Sequence, residues 1–184
     1  MSIKCIPDEK QYVIKLNPNS LYEYTHHEIQ CYGFEYFYLR FTAHPKDTHM
    51  SAKNITNYPN ELAEYYKRLE ASLKNPLVSH CQRSIDPLIW SESVFRGIPE
   101  LWKKTRAHGL NYGWSQAVHD TQGRTSILSM ARSKPIITKD EFHEKAAMCC
   151  GCAINYIALC SPSFHPNKSL TLFLSLCPCV RQRC

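Results

Sequence analysis

Two segments on either side of a four-residue turn impose the strongest constraint on the fold of this chain. Residues Tyr112 to His119 and Arg124 to Arg132 are separated by Asp120-Thr121-Gln122-Gly123. A glycine in so short a connection is typical of an antiparallel hairpin, because glycine adopts the left-handed backbone that such turns use. The pattern therefore predicts a β-hairpin, and with it an antiparallel sheet.

Further strands and helices are indicated elsewhere in the chain. The aromatic-rich segment Phe34 to Thr42 alternates and favours a strand, and a second strand is predicted over Ser51 to Thr56. Helices are predicted over Leu21 to Tyr32 with Ser20 as N-cap, from Pro59 through Leu69, over Leu77 to Arg83, over Ile98 to His108 with Gly109 ending it, and from Thr138 or Lys139 to Cys160. Helices at both ends and between strands predict an α/β fold, an α/β/α sandwich around an antiparallel sheet.

The length and composition are those of one domain with a tail. A chain of 184 residues, 43% of them apolar, can bury one core, and a net charge of +6 does not by itself indicate nucleic-acid binding. The start has no apolar run of signal-peptide length, so we expect the ten cysteines to be reduced thiols in a cytoplasmic protein. The longest apolar run, Leu170 to Val180, contains Pro178 and is too short for a bilayer, so no membrane span is expected.

A set of residues in the middle of the chain occurs in the order and spacing of a known family. The set consists of Asn57-Tyr58-Pro59, Tyr66, Pro76, Trp90-Ser91, Leu101-Trp102 and Gly109-Leu110-Asn111-Tyr112-Gly113. Together they resemble the autoinducer-binding domain of LuxR-type quorum-sensing regulators. The resemblance implies a sensor fold similar to GAF and PAS domains, with a five-stranded antiparallel sheet, and an N-acyl homoserine lactone bound between the sheet and one helical layer. The expected boundaries are a leader over 1–19, the autoinducer-binding domain over 20–160 and an irregular tail over 161–184.

The same resemblance assigns roles to four positions at spacings of four, four and nine residues. Tyr58 falls where a hydroxyl donates to the acyl carbonyl, and Tyr66 falls where a second tyrosine packs against the ligand. Leu62 stands where the family has a tryptophan whose indole reaches the lactone carbonyl, and Asn75 where it has an aspartate that accepts the ligand's amide N–H. Because an unpaired polar group costs roughly 1 to 3 kcal/mol, we expect weak or altered lactone binding.

Five more positions match the family's pocket. Trp90 corresponds to an aromatic floor, Trp102 and Tyr112 to further aromatic lining, and Ser129 to a hydroxyl that bonds the acyl carbonyl. Gly113 matches a glycine at a close approach of the sheet, which a residue without a side chain fills most easily. On residue type alone, the large aromatic residues would be ordinary core residues.

Metal binding and catalysis are weaker interpretations. The cysteine and histidine motifs are Cys149-Cys150-Gly151-Cys152, Cys177-Pro178-Cys179 with Cys160 and His165, and His26-His27 near Cys31. Their spacing matches no usual zinc pattern, and buried small side chains or a solvated helix face explain them better. No nucleophile is framed by a catalytic signature, so we expect no metal, no cofactor and no enzyme activity.

The tail departs from the family, in which a helix-turn-helix domain follows. Residues 161–184 contain Pro162, Pro166 and Pro178 without a helical period, and their composition suggests translation in a shifted frame. We therefore expect a truncated regulator without sequence-specific DNA binding of its own. The resemblance implies a homodimer, or a heterodimer with full-length LuxR-type regulators, formed partly through the last helix. One alternative is an interaction protein with a decayed pocket that acts as a dominant-negative partner, and another is a thiol-rich redox or metal sensor on the same fold.

Overall fold

The computed structural model describes residues 18–42, 53–71, 74–121 and 123–145. Its elements, in chain order, are α1 (Pro18–Cys31), β1 (Tyr36–Thr42), β2 (Lys53–Thr56), α2 (Asn60–Ala71), α3 (Pro76–Cys81), β3 (Leu88–Ile89), α4 (Pro99–Ala107), β4 (Tyr112–His119) and β5 (Thr125–Arg132). Residues 139–145 are also helical. None of the helices in this described part of the chain has the length and apolar character of a membrane span.

The five strands form one antiparallel sheet in the order β2-β1-β5-β4-β3. The predicted hairpin is confirmed, with β4 and β5 paired from Tyr112 opposite Arg132 to His119 opposite Thr125. In its turn, the Asp120 carboxylate accepts the backbone N–H of Arg124 at 2.9 Å, and Gly123 has a φ of +77°. The left-handed glycine expected in this turn is therefore present.

Helices cover both surfaces of the sheet, which confirms the predicted sandwich. Side chains alternate along each strand. On one surface, the α1 face, strand residues pack against α1 and against Phe142; this cluster contains Leu21, Ile29, Phe34, Phe37, Leu39, Phe41, Trp114, Leu128 and Met130. On the other surface, the α2 face, strand residues pack under α2, α3 and α4; this cluster contains Tyr38, Tyr58, Leu62, Tyr66, Leu77, Trp90, Phe95, Leu101, Leu110 and Ala131.

Several predicted element boundaries were wrong. Ser20 lies inside α1 rather than capping it, because the helix begins at Pro18, whose fixed φ suits a first helical turn. Phe34 and Glu35 precede β1, and Arg124 belongs to the turn rather than to β5. The edge strand β3 was not predicted at all, since two residues are too few to show alternation.

The helix predictions were otherwise close. α3 starts one residue and ends two residues earlier than expected, and α4 is one residue shorter at each end. Gly109 follows α4 with a φ of +83°, as predicted for a helix-ending glycine. Of the long helix predicted from residue 138 or 139 to Cys160, the part from 146 onward lies outside the described residues, as do the tail and residues 1–17 of the leader predicted over 1–19.

An ion-pair network around the buried Arg132 guanidinium attaches residues 139–145 to the sheet. Arg132, at the end of β5, donates two hydrogen bonds to the Glu141 carboxylate at 2.7 and 2.6 Å, and its side chain is 4% exposed. The same guanidinium donates to the Pro135 carbonyl at 2.8 Å and lies over the Phe34 ring. Lys145 donates both to Glu141 at 2.6 Å and to the Tyr32 carbonyl. This bidentate arrangement fixes the start of the last described helix against the end of β5.

We predict that Glu141→Gln lowers the free energy of unfolding at neutral pH by about 2 to 3 kcal/mol, because it leaves the buried Arg132 guanidinium without its counter-charge. Hydrogen bonds from Arg132, followed by those from Lys145, lower the pKa of Glu141 from 4.5 to about 2. The carboxylate therefore stabilises the fold above pH 4.5, and this stabilisation is lost as the pH falls toward 2.

Urea unfolding across that pH interval measures the effect. The difference between the unmodified chain and the variant should shrink as the solution becomes acidic. The control is Glu144→Gln, which removes an exposed carboxylate from the same helix. Equal losses for the two variants, or a difference independent of pH, would contradict the assigned role of Glu141.

Candidate ligand-binding site

The position of Tyr58 is set by the connection between β2 and α2. The Asn57 side chain accepts the Phe37 backbone N–H at 2.7 Å and donates to the Glu35 carbonyl at 2.8 Å. The Thr56 hydroxyl donates to the Phe37 carbonyl at 2.6 Å and accepts the Tyr58 backbone N–H at 3.0 Å. These side chains attach the connection to β1, so Tyr58 enters the α2 face at a fixed point.

Three tyrosine rings meet on the α2 face. Tyr58 and Tyr66 lie 5.4 Å apart between ring centroids, and Tyr38 of β1 lies 5.5 Å from the first and 5.6 Å from the second. All three are almost fully buried. Tyr38 was missed by the sequence reasoning, although strand alternation places it on the same face as Ser129, its partner in β5.

The Tyr58 hydroxyl has no hydrogen-bond partner among the described residues. Burial raises the pKa of Tyr58 well above its usual value, and the neighbouring Tyr66 and Tyr38 raise it further. The hydroxyl is therefore a neutral donor for which the described part of the chain offers no acceptor. Because such a group costs roughly 1 to 3 kcal/mol in a folded protein, it marks a place where an external acceptor would bind favourably.

Leu62 belongs to the same apolar cluster as these tyrosines, and Asn75 is buried just before α3. Leu62 is fully buried one helical turn before Tyr66 and contributes only apolar surface. The Asn75 side-chain oxygen accepts the Leu77 backbone N–H at 3.0 Å and so caps α3. One lone pair of this oxygen is thus already in use, which the sequence did not indicate.

Trp90 and Ser129 are joined by a residue that the sequence reasoning did not select. The indole N–H of Trp90 donates to the Ser115 hydroxyl at 3.0 Å, and the hydroxyl oxygens of Ser115 and Ser129 are 2.6 Å apart. Ser115 lies two residues after Gly113 on β4 and directly opposite Ser129 on β5. The alternation of a predicted hairpin would have placed it on the pocket side.

Gly113 lies where the sheet and Trp90 approach most closely. A Cβ atom at this position would lie 2.4 Å from the Met130 carbonyl oxygen and 2.8 and 2.9 Å from two atoms of the Trp90 indole. The close approach expected at this glycine is therefore present, and the missing side chain lets the indole rest on β4.

Trp102 and Tyr112 lie further from the tyrosine cluster. Trp102 is half-buried and stacks on Phe95 at 5.0 Å, beside a cleft of about 410 Å³ that these two residues line with Glu92, Ser93, Arg96 and Pro99. Phe95 in turn contacts Trp90 edge-on, so Trp102 is one ring removed from it. Tyr112 alternates to the α1 face with Trp114, and the structure does not bring it together with the other candidates.

The described residues give little support to the interpretation of the cysteine and histidine motifs as metal sites. No three His, Cys, Asp or Glu side chains among them are grouped as metal ligands would be. Cys31 is an exposed thiol near His27, and Cys81 is a buried one whose pKa burial raises to about 12. The motifs from Cys149 onward lie outside the described residues.

Comparison with known sequences decides the family. The family model for the autoinducer binding domain matches residues 17–160. The chain belongs to the autoinducer-binding domain family.

This autoinducer-binding domain is 36% identical over 86 residues to the transcriptional activator protein PhzR of Pseudomonas fluorescens, covering 47% of this chain and 35% of the relative. It is 26% identical over 132 residues to the transcriptional activator protein AnoR of Acinetobacter nosocomialis, covering 71% and 56%. The chain thus spans about a third to just over half of the length of these relatives, which are named as regulators rather than enzymes.

Solved structures show the same fold. SdiA in complex with octanoyl-rac-glycerol matches this autoinducer-binding domain with a TM-score of 0.62 at 23% identity, over 76% of this chain and 59% of that one. CepR2 of Burkholderia cenocepacia, an N-acylhomoserine lactone dependent LuxR family transcription factor, matches with a TM-score of 0.63 at 18% identity, over 76% and 81%. The five-stranded antiparallel sheet between helices is the shared architecture.

Proposed function

We propose that this domain binds a signal of the N-acyl homoserine lactone type on its α2 face and modulates transcription in quorum sensing. The observation that carries the proposal is the buried Tyr58 hydroxyl, which has no acceptor among the described residues and lies beside Tyr38 and Tyr66. The membership of the autoinducer-binding domain family supports the ligand class. Solved structures of the same fold, one with an acyl glycerol and one of a lactone-dependent factor, support an acylated ligand.

The residues of the α2 face suit different parts of such a ligand. In this proposal the Tyr58 and Ser129 hydroxyls donate to the acyl carbonyl, Tyr66 packs against the ligand, and Trp90 forms the floor beside Gly113. Neutral hydroxyls and aromatic rings bind an uncharged amphiphile without the cost of burying an unpaired charge.

In this proposal, Leu62 and Asn75 lower the ligand affinity below that of a domain with the family's tryptophan and aspartate at these two positions. Leu62 cannot donate to a lactone carbonyl, and the Asn75 oxygen is neutral and already caps α3. An accepted hydrogen bond without charge assistance is about half as strong. We therefore propose weak binding or a preference for a relative of the usual lactones.

We predict that Tyr58→Phe weakens lactone binding about tenfold, the equivalent of one neutral hydrogen bond. The same change should leave the free energy of unfolding unchanged or raise it by up to about 1 kcal/mol, because the hydroxyl that it removes is buried without an acceptor among the described residues. Isothermal titration with lactones of short and long acyl chains gives the affinity, and urea unfolding without ligand gives the stability.

The control for this variant is Tyr22→Phe. Tyr22 packs against Phe37 on the opposite face of the sheet, so its hydroxyl should not affect ligand affinity. Undiminished lactone binding by Tyr58→Phe would show that the Tyr58 hydroxyl is not part of the site. Failure of the unmodified chain to bind any lactone of the panel would reject the proposed function.

We propose as a second candidate that the chain pairs with full-length LuxR-type regulators and inhibits them. The firm attachment of residues 139–145 by Arg132 and Glu141 favours this role, since it holds the start of the predicted dimerisation helix in a fixed direction. In this proposal the chain contributes no recognition helix, so a mixed dimer presents one such helix where a two-fold operator needs two.

We predict co-purification of this chain with a full-length regulator and a severalfold lower reporter output when both are co-expressed. Charged substitutions at Ile154 and Ile157, which the sequence places on the apolar side of that helix, should abolish both effects. Unchanged reporter output without co-purification would leave the signal-binding role alone.

A further inference from the structure

A continuous hydrogen-bond chain crosses the floor of the proposed site. It runs from the Trp90 indole N–H to the Ser115 hydroxyl and from there to the Ser129 hydroxyl, over 3.0 and 2.6 Å. Exposure of the three residues is 5% or less. Ser115 is the middle residue of these hydrogen bonds and links the aromatic floor to the hydroxyl proposed to bind the ligand.

The number of polar protons in this hydrogen-bond network determines how many hydrogen bonds it can donate to a ligand. An indole N–H can only donate, so Ser115 must accept from Trp90. The two serines have two hydroxyl protons, and one of them fills the bond between their oxygens. One proton therefore remains, and among the described residues the structure records no further acceptor for it. If Ser115 donates to Ser129, all three donors point the same way and strengthen one another, and Ser129 donates the last proton into the site.

The strand register places this last proton near the tyrosine cluster. Ser115 and Ser129 are directly opposite each other, and Tyr38 is directly opposite Ser129 on the other side. The Tyr38 ring contacts the Tyr58 ring, whose hydroxyl also lacks an acceptor among the described residues. Two donors for which the described residues supply no acceptor thus belong to one region of the α2 face, and a carbonyl oxygen can accept from both.

We propose that Ser115 is a positioning residue, which directs the Ser129 hydroxyl toward a ligand carbonyl and so makes the site selective for acyl compounds. The inference rests on the proposed function. Without Ser115, the Ser129 hydroxyl can rotate freely and the Trp90 indole loses its acceptor. Ser115 then contributes to affinity only through Ser129, which is a testable form of coupling.

A double-mutant cycle on the full chain, with N-octanoyl homoserine lactone as the probe in isothermal titration, tests this coupling. We expect Ser115→Ala to weaken binding about fivefold and Ser129→Ala about tenfold, and the double variant to bind no more weakly than Ser129→Ala alone. Ser115→Thr, which keeps the hydroxyl, should restore most of the affinity. Ser126→Ala is the matched control, since Ser126 is buried on the same strand but on the α1 face.

The indole N–H signals in a nitrogen–proton NMR spectrum give a readout that a purely structural role would not change. The chain has 3 tryptophans, and Trp90→Phe identifies the Trp90 signal by its disappearance. Ser115→Ala should shift that signal upfield, and adding lactone should shift it downfield in the unmodified chain but not in Ser115→Ala. Two results would overturn this inference and leave the proposed function standing. One is a double variant whose loss of affinity equals the product of the two single losses, and the other is a Trp90 signal that responds to lactone equally in Ser115→Ala. Absence of binding by the unmodified chain would overturn the proposed function and this inference with it.

Discussion

Replacing Leu62 with Trp and Asn75 with Asp together should raise the affinity for an N-acyl homoserine lactone by about 2 to 4 kcal/mol. The introduced indole supplies a donor for the lactone carbonyl, which Leu62 lacks. The introduced carboxylate accepts the ligand's amide N–H with charge assistance. It has two oxygens, so one can still accept the Leu77 N–H that Asn75 now accepts at 3.0 Å.

The same double variant should be less stable without ligand. Leu62 is fully buried among the tyrosines of the α2 face, and a larger side chain forced into a packed core costs about 1 to 3 kcal/mol. We therefore expect a lower melting temperature without ligand and a larger rise on adding ligand than in the unmodified chain. Thermal melts and titration calorimetry, with each single variant as a control, separate the two effects. A double variant that gains no affinity for any acyl chain would refute the assignment of Leu62 and Asn75 to the pocket.

Gly113→Ala should lower the free energy of unfolding by about 3 kcal/mol, the upper part of the usual range for overpacking. The added Cβ would lie 2.4 Å from the Met130 carbonyl oxygen, which is backbone of the adjacent central strand. Relief would require either separating β4 from β5 or lifting Trp90, whose indole atoms lie 2.8 and 2.9 Å away. Urea unfolding measures the loss, and the Trp90 indole signal shows whether the floor of the site has moved.

The control for this substitution is Gly97→Ala. No atom of the described residues lies within 4 Å of a Cβ atom at Gly97, so a methyl group there meets open space. We expect that variant to be as stable as the unmodified chain or slightly more so, because alanine restricts the unfolded chain. Equal stability of the two alanine variants would show that β4 and Trp90 can separate without cost.

The sequence by itself determined the features that depend on neighbours along the chain. Alternation and a turn glycine predicted the hairpin of β4 and β5, and the glycine after α4 predicted where that helix ends. Each of these is local, because backbone conformation and side-chain period are set within a few residues. The ordered spacing from Tyr58 to Gly113 also indicated the family, which the match over 17–160 confirmed.

Only the tertiary structure decided which side chains meet across the sheet. Ser115 joins Trp90 to Ser129, and Tyr38 completes the tyrosine cluster, because strand register brings together residues far apart in the chain. Tyr112 was expected in the pocket with Gly113, yet the period of two along β4 puts these neighbours on opposite faces. The ion pair of Arg132 and Glu141 likewise depends on the direction in which the chain leaves β5. Register and chain direction are settled by the packing of the whole sheet, and short-range patterns carry little information about them.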